Sequence, residues 1–212
     1  PFNHLEAAHM HPRWSIADRA KAYFICGGIP PYLQCFESTR SIDANITHTM
    51  FDEFAPLFRE PDFLLREELR DVASYHAILM AMAAGNDSNN EIAKFACVPE
   101  RSLHYYIEQL VSLGYVQRRY PLSTKKDEKY RVRYRLEDPL LRFWFRFVFP
   151  NTSFIRNAGA VRAFRERVRP ELESYFGSCF ERLCRESLPM FYAREGVQAP
   201  FRVGEYWDAS TQ

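Results

Sequence analysis

The sequence predicts a mainly α-helical protein with one small antiparallel β hairpin and a short extended segment near its end. Three observations predict it. Apolar residues recur at helical spacing along most of the chain, one basic stretch alternates with period two, and Gly, Pro and Asn mark the boundaries between them. Hydrophobic residues make up 47% of the 212 and aromatic residues 16%, enough to build packed cores rather than a disordered chain.

The chain divides into three segments. Residues 1–65 read as helices interrupted by Gly27-Gly28-Ile29-Pro30-Pro31, a break that no helix runs through. Residues 66–149 carry the clearest pattern. From Asp71 to Ala84, Val72, Tyr75, Ile78, Leu79 and Met82 share one helical face, and Gly85 ends the helix. Asn86-Asp87-Ser88-Asn89 supplies a turn with N-cap candidates. A short helix over Glu91–Ala96 follows, with Ile92 and Phe95 as its core contacts, and Cys97-Val98-Pro99 turns the chain. A third helix, from about Glu100 to Leu113, buries Leu103, Tyr106, Ile107, Leu110 and Leu113 before Gly114 stops it.

Tyr115–Tyr120 reads as a first strand. Tyr130–Leu136 reads as a second, in which Tyr130, Val132, Tyr134 and Leu136 alternate with Arg131, Arg133 and Arg135 to leave one solvated face. Three helices followed by a hairpin is the order of a winged helix-turn-helix. Phe143 to Phe149 reads as a buried aromatic connector. Residues 150–212 show two helical patterns and a strand-like run from Phe201 to Trp207. One of the patterns places Phe176, Phe180, Leu183, Cys184 and Ser187 on one face.

A winged helix inserts its third helix into the major groove and lays its hairpin on the phosphate backbone. The net charge is only +1, so attraction for DNA depends on where the charges sit. Arg101, His104 and Tyr105, with Glu108, Gln109 and Ser112, form the outward face of the third helix. Arg118, Arg119, Lys125, Lys126, Lys129, Arg131, Arg133 and Arg135 place eight cations within eighteen residues, opposed by Asp127 and Glu128. The same pattern fits a wing that docks on protein or on another part of its own chain, and both readings stand.

Other signals set limits. The five cysteines include no CxxC pair, which indicates free, buried thiols in a reducing cytoplasm rather than a zinc or disulfide framework. His4, His9 and His11 crowd the start without partners at ligand spacing and read as a solvated segment, so no metal site is expected. No apolar run approaches the ~20 residues that span a bilayer, and PFNHLEAAHMHPRW has no secretory pattern. A cytoplasmic protein without membrane partners is expected.

Longer runs carry a resemblance. They are GGIPPYL (Gly27–Leu33), LLREELRDVASYHAILMAMAAG (Leu64–Gly85), EIA (Glu91–Ala93), LVSLGYVQRRYP (Leu110–Pro121), YRLEDPLLRFWFRFVFP (Tyr134–Pro150) and YFGSCFERLCRESL (Tyr175–Leu188). Together they resemble the archaeal-type ATPase family, in the part that follows its nucleotide-binding core. The resemblance implies a P-loop ATPase domain, then a helical lid (here 1–65), a winged helix (66–149) and the start of a nuclease-like α/β domain (150–212). No GxxxxGK[ST] occurs, so ATP and Mg are implied for a longer parent protein, and no catalytic set is expected in this chain. The expected partners are DNA, the N-terminal ATPase domain of that parent and, where the parent self-associates, further copies of it.

The resemblance also gives Gly27, Gly28 and Pro30 a place beside the adenine of a nucleotide; the bare sequence reads them as a turn between helices. It puts Glu181 at the edge of a nuclease metal site, whereas the residues themselves read as an ion pair with Arg185 at i,i+4. Metal-dependent cleavage would need an acidic residue and a Glu-x-Lys pair on later strands, and none appears before Gln212.

Overall fold

The computed structural model describes residues 1–122 and 132–207. Helix α1 (His4–Ala8) starts from a capping box between Asn3 and Glu6, and α2 (Ile16–Cys26) from the Ser15 hydroxyl. Gly27, at φ 61°, ends α2, and Pro30 opens α3 (Pro30–Gln34). Helices α4 (Ile42–Met50) and α5 (Glu60–Glu68) complete the first segment. The expected solvated start is corrected at His11. That ring is buried, stacked on Trp14 at 4.2 Å, with Nε2 2.9 Å from the Leu33 carbonyl and Nδ1 3.1 Å from Ser38.

The middle segment follows the sequence closely. Helix α6 (Val72–Ala83) is buried on almost every side, so it forms the centre of the molecule. Ser88 and Glu91 form a capping box at the start of α7 (Asn89–Ala96), which confirms Ser88 among the cap candidates. Phe95 is exposed, against expectation: α7 buries Ile92 and Ala93 instead, so the Phe95 ring lies off the contact line. Cys97 closes α7 at φ 53°, a left-handed conformation that a side chain disfavours. Helix α8 (Glu100–Ser112) buries Leu103, Ile107 and Leu110. Strands β1 (Val116–Arg119) and β2 (Arg133–Leu136) pair antiparallel. The Tyr134 amide donates to the Asp87 carbonyl at 2.7 Å, which ties the hairpin to the turn before α7.

Asp138 caps α9 (Pro139–Phe143), which runs on through a wide turn over Trp144–Val148. As expected, this aromatic connector is core: Phe143, Trp144, Phe145, Phe147 and Val148 are buried, and Trp144 donates to the Phe58 carbonyl at 2.8 Å. Helices α10 (Thr152–Ala158) and α11 (Ala160–Ala163) lead into the long α12 (Arg169–Arg194). On α12, Phe176 and Ser187 are buried, while Phe180 and Cys184 are exposed, so the expected apolar face is only half realised. Residues 201–207 take no strand conformation, which corrects the expected terminal strand: their polar contacts go to the hairpin and α12, and no strand among the described residues pairs with them. One continuous core runs from Ala7 to Cys179 and draws on all three segments.

His76 on α6 is buried among the rings of Trp144, Phe145 and Phe149, with Nε2 3.5 Å from Asp62. Burial holds both His76 and His11 below the ordinary imidazole pKa of 6.5; Asp62 and the Leu33 carbonyl only partly offset it. The unfolded chain therefore binds more protons as pH drops past 6.5, and stability should decline from there downward. Thermal melts at about pH 7.5 and about pH 5.5 test this, with His76→Gln expected to lose part of the dependence. Equal melting temperatures at the two pH values would refute it.

Candidate functional site

The hairpin has two faces. Val116, Arg118, Tyr134 and Leu136 point one way, where Val116, Tyr134 and Leu136 join the core and Arg118 pairs with Glu108 on α8. Gln117, Arg119, Arg133 and Arg135 point the other way, and Arg119 stands directly across from Arg133. Like charges in register repel, so this face needs anions nearby. Asp87 meets Arg133 at 3.3 Å, and Glu205 meets Arg119 at 3.3 Å and Arg135 at 3.2 Å. Burial raises the Asp87 pKa, and the Arg133 guanidinium pulls it back.

Glu205 is the hub. Its Oε1 accepts from Arg119, Arg135 and Arg185, the last from α12. Backbone contacts fix its position: the Leu122 amide donates to the Glu205 carbonyl at 2.7 Å. Gly204 lies so close to Leu122 that a Cβ there would sit 2.8 Å from Leu122 Cγ. Trp207 is buried with the Arg133 guanidinium 5.1 Å over its ring, a cation–π contact. Arg182 bonds to Glu137 and to Glu186, the latter at 2.7 Å, and Arg185 bonds to Glu181 at 2.7 Å, the i,i+4 pair the sequence indicated.

Between the wing and α12 lies a cavity of about 680 Å³. Its lining includes Arg119, Arg133, Arg135, Arg142, Arg146, Arg182 and Arg185, with Asp87, Glu171, Glu181 and Glu205 as the carboxylates. Arg142 donates to the Tyr175 hydroxyl at 3.4 Å and to Cys179 Sγ at 3.7 Å, and it forms no ion pair among the described residues. Arg182 Nη1 is buried without a hydrogen-bond partner among those residues.

The residues singled out from sequence fall into three groups. Arg101, His104 and Tyr105 are exposed together on α8, with His104 3.5 Å from Glu108. Arg118, Arg119, Arg133 and Arg135 are half-buried and paired with carboxylates; at these four positions the expected solvated face does not form, because α8, the turn before α7 and residues 205–207 supply acids and a ring against them. Lys125, Lys126, Lys129 and Arg131 lie outside the described residues.

Gly27, Gly28 and Pro30 form the turn between α2 and α3. The close approach that the glycines permit is made by the chain itself. Phe2 donates its amide to the Gly28 carbonyl at 2.7 Å, a Cβ on Gly28 would fall 1.8 Å from the Phe2 oxygen, and one on Gly27 would fall 3.2 Å from Pro139. Sequence reasoning missed Glu205, Glu137, Arg182 and Arg185 as members of one cluster. Of these, only the Arg182–Glu186 and Arg185–Glu181 spacings carried a signal.

No cluster of three or more His, Cys, Asp or Glu side chains placed to hold a metal occurs among the described residues. All five cysteines are free thiols; Cys26 and Cys179 are buried as expected, whereas Cys97 and Cys184 are exposed. No helix among the described residues is long and apolar enough to cross a membrane.

Comparison with known proteins covers part of this cluster: Arg185 and Glu205 lie in a recognised region, and Arg119 and Arg135 lie outside it. Residues 144–212 match the model of DUF234, described as archaea bacterial proteins of unknown function. Over 209 residues the chain is 27% identical to an uncharacterized protein of Methanocaldococcus jannaschii, an alignment covering 97% of this chain and 45% of that protein. The chain thus spans less than half the length of that relative. No solved structure matches.

Proposed function

We propose that this chain is an intramolecular coupling module of a larger ATPase of the archaeal type, in which the winged helix holds the C-terminal segment rather than a DNA backbone. The observation that carries this reading is the Glu205 clamp: three guanidiniums from the wing and α12 meet on one carboxylate oxygen. The run of likeness from Gly27 to Leu188 supports the family assignment. ATP and Mg belong, in this reading, to a P-loop domain of the longer protein, whose nucleotide state the clamp would transmit to its C-terminal part.

The chain itself tests the clamp. Glu205→Lys places a cation among three others, so the 201–207 segment should detach. Trypsin should then cut after Arg202 roughly tenfold faster than in the unaltered chain, because local opening governs cleavage. Equal cutting rates would dismiss the clamp.

A DNA-binding role is the second reading, favoured by the exposed Arg101, His104 and Tyr105 on α8 and by the lysines between the strands. In a gel shift, binding that weakens with salt and disappears when Lys125, Lys126 and Lys129 become Glu would establish it. A chain that binds no duplex even at low salt would remove it.

A further inference from the structure

We infer that the arginine-lined cleft is a binding site for phosphate groups and that Glu205 is the internal carboxylate such a ligand displaces. Arg119, Arg135 and Arg185 converge on Oε1 of Glu205, a group with a single negative charge. A phosphate monoester or terminal phosphate carries about −1.5 to −2 and offers three acceptor oxygens, so it can satisfy three forked donors at once. Guanidiniums suit that geometry better than ammonium groups do, and the cations lining this cavity are all arginines.

The cleft has capacity beyond Glu205. Arg142, on its floor, has only a hydroxyl and a thiol as partners, both at long distance. About 680 Å³ lies open beside the Glu205 carboxylate, which is one of its walls. Displacement is also mechanically simple. Glu205 sits on an irregular segment, so its release parts contacts such as the backbone bond to Leu122 and the Arg133–Trp207 stacking without unwinding a helix. A bound phosphate would thus open the clamp, which makes the site a regulatory input to the proposed coupling.

Isothermal titration of the 212-residue chain with inorganic triphosphate tests the inference. Glu205→Gln removes the internal competitor and should tighten binding about tenfold, whereas Arg119→Gln with Arg185→Gln should weaken it by at least about tenfold. Circular dichroism checks that the variants fold. If the double variant does not fold, the Glu205→Gln comparison decides alone. No heat of binding in either the unaltered chain or Glu205→Gln would overturn the inference, as would equal affinities in the two.

Competition with a short oligothymidylate separates the sources of the phosphate. Displacement of triphosphate identifies a nucleic-acid backbone as a ligand, and no displacement identifies a free polyphosphate; either result upholds the site. The trypsin assay contains no ligand. A clamp that holds in a protein that ignores triphosphate would therefore sink this inference and leave the coupling reading intact.

Discussion

Replacing Phe147 by alanine is expected to destabilise the protein by about 3–5 kcal/mol, a large share of the roughly 5–15 kcal/mol that holds a typical domain together. Phe147 is 1% exposed and packs against Phe143 and Tyr175, with ring centroids 5.0 and 5.3 Å away. It sits in the wide turn joining α9 to the C-terminal helices, where interlocked rings leave neighbours little freedom to collapse into a void. Tyr175 also accepts from Arg142 and donates to the Phe24 carbonyl, so the damage should spread to the floor of the arginine cleft. Urea denaturation of the two proteins provides the comparison. A loss below about 1 kcal/mol would show that the connector is not the core it is taken to be.

The second large effect is expected at Gly28. An alanine Cβ there would meet the Phe2 carbonyl oxygen at 1.8 Å and the Phe2 nitrogen at 2.6 Å, both backbone atoms that cannot rotate away. The N-terminal residues must then lift off, losing the bond between the Phe2 amide and the Gly28 carbonyl and the docking of α1 on α2. Gly28→Ala should lower stability by roughly 1–3 kcal/mol and speed proteolysis ahead of α2. A variant as stable as its parent, with an equally protected N-terminus, would show that Phe2 does not occupy this glycine. The experiment also bears on the nucleotide reading of Gly27, Gly28 and Pro30, since a base could approach the glycines only where Phe2 does not.

Much of the winged helix was legible because its information is local. The spacing of Tyr75, Ile78 and Leu79, the Ser88 cap with Glu91, and the period-two alternation of Tyr134 and Leu136 each report on neighbours within a few positions. The aromatic connector was legible for a different reason: so many rings in sequence find no stable place in water.

What failed to show was long-range. Arg119 and Arg135 announce themselves as cations, but their acid, Glu205, is 86 and 70 positions away and belongs to no periodic pattern. From sequence the wing therefore read as a solvated cationic face. Phe95 misled because apolar spacing on an eight-residue helix cannot choose between adjacent contact lines. The 201–207 run had strand-like composition and no partner strand among the described residues, and pairing, not composition, makes a strand.

The placement of Arg119 opposite Arg133 has a consequence for how the molecule is made. Synthesis delivers both arginines well before Glu205, so the nascent hairpin carries two facing positive charges, with Asp87 as the ion-pair partner already made among the described residues. Its final closure waits for a residue that is made 86 positions after Arg119. The wing thus closes later in assembly than its own strands are made, and the polyanionic ribosomal tunnel is the first counter-charge it meets.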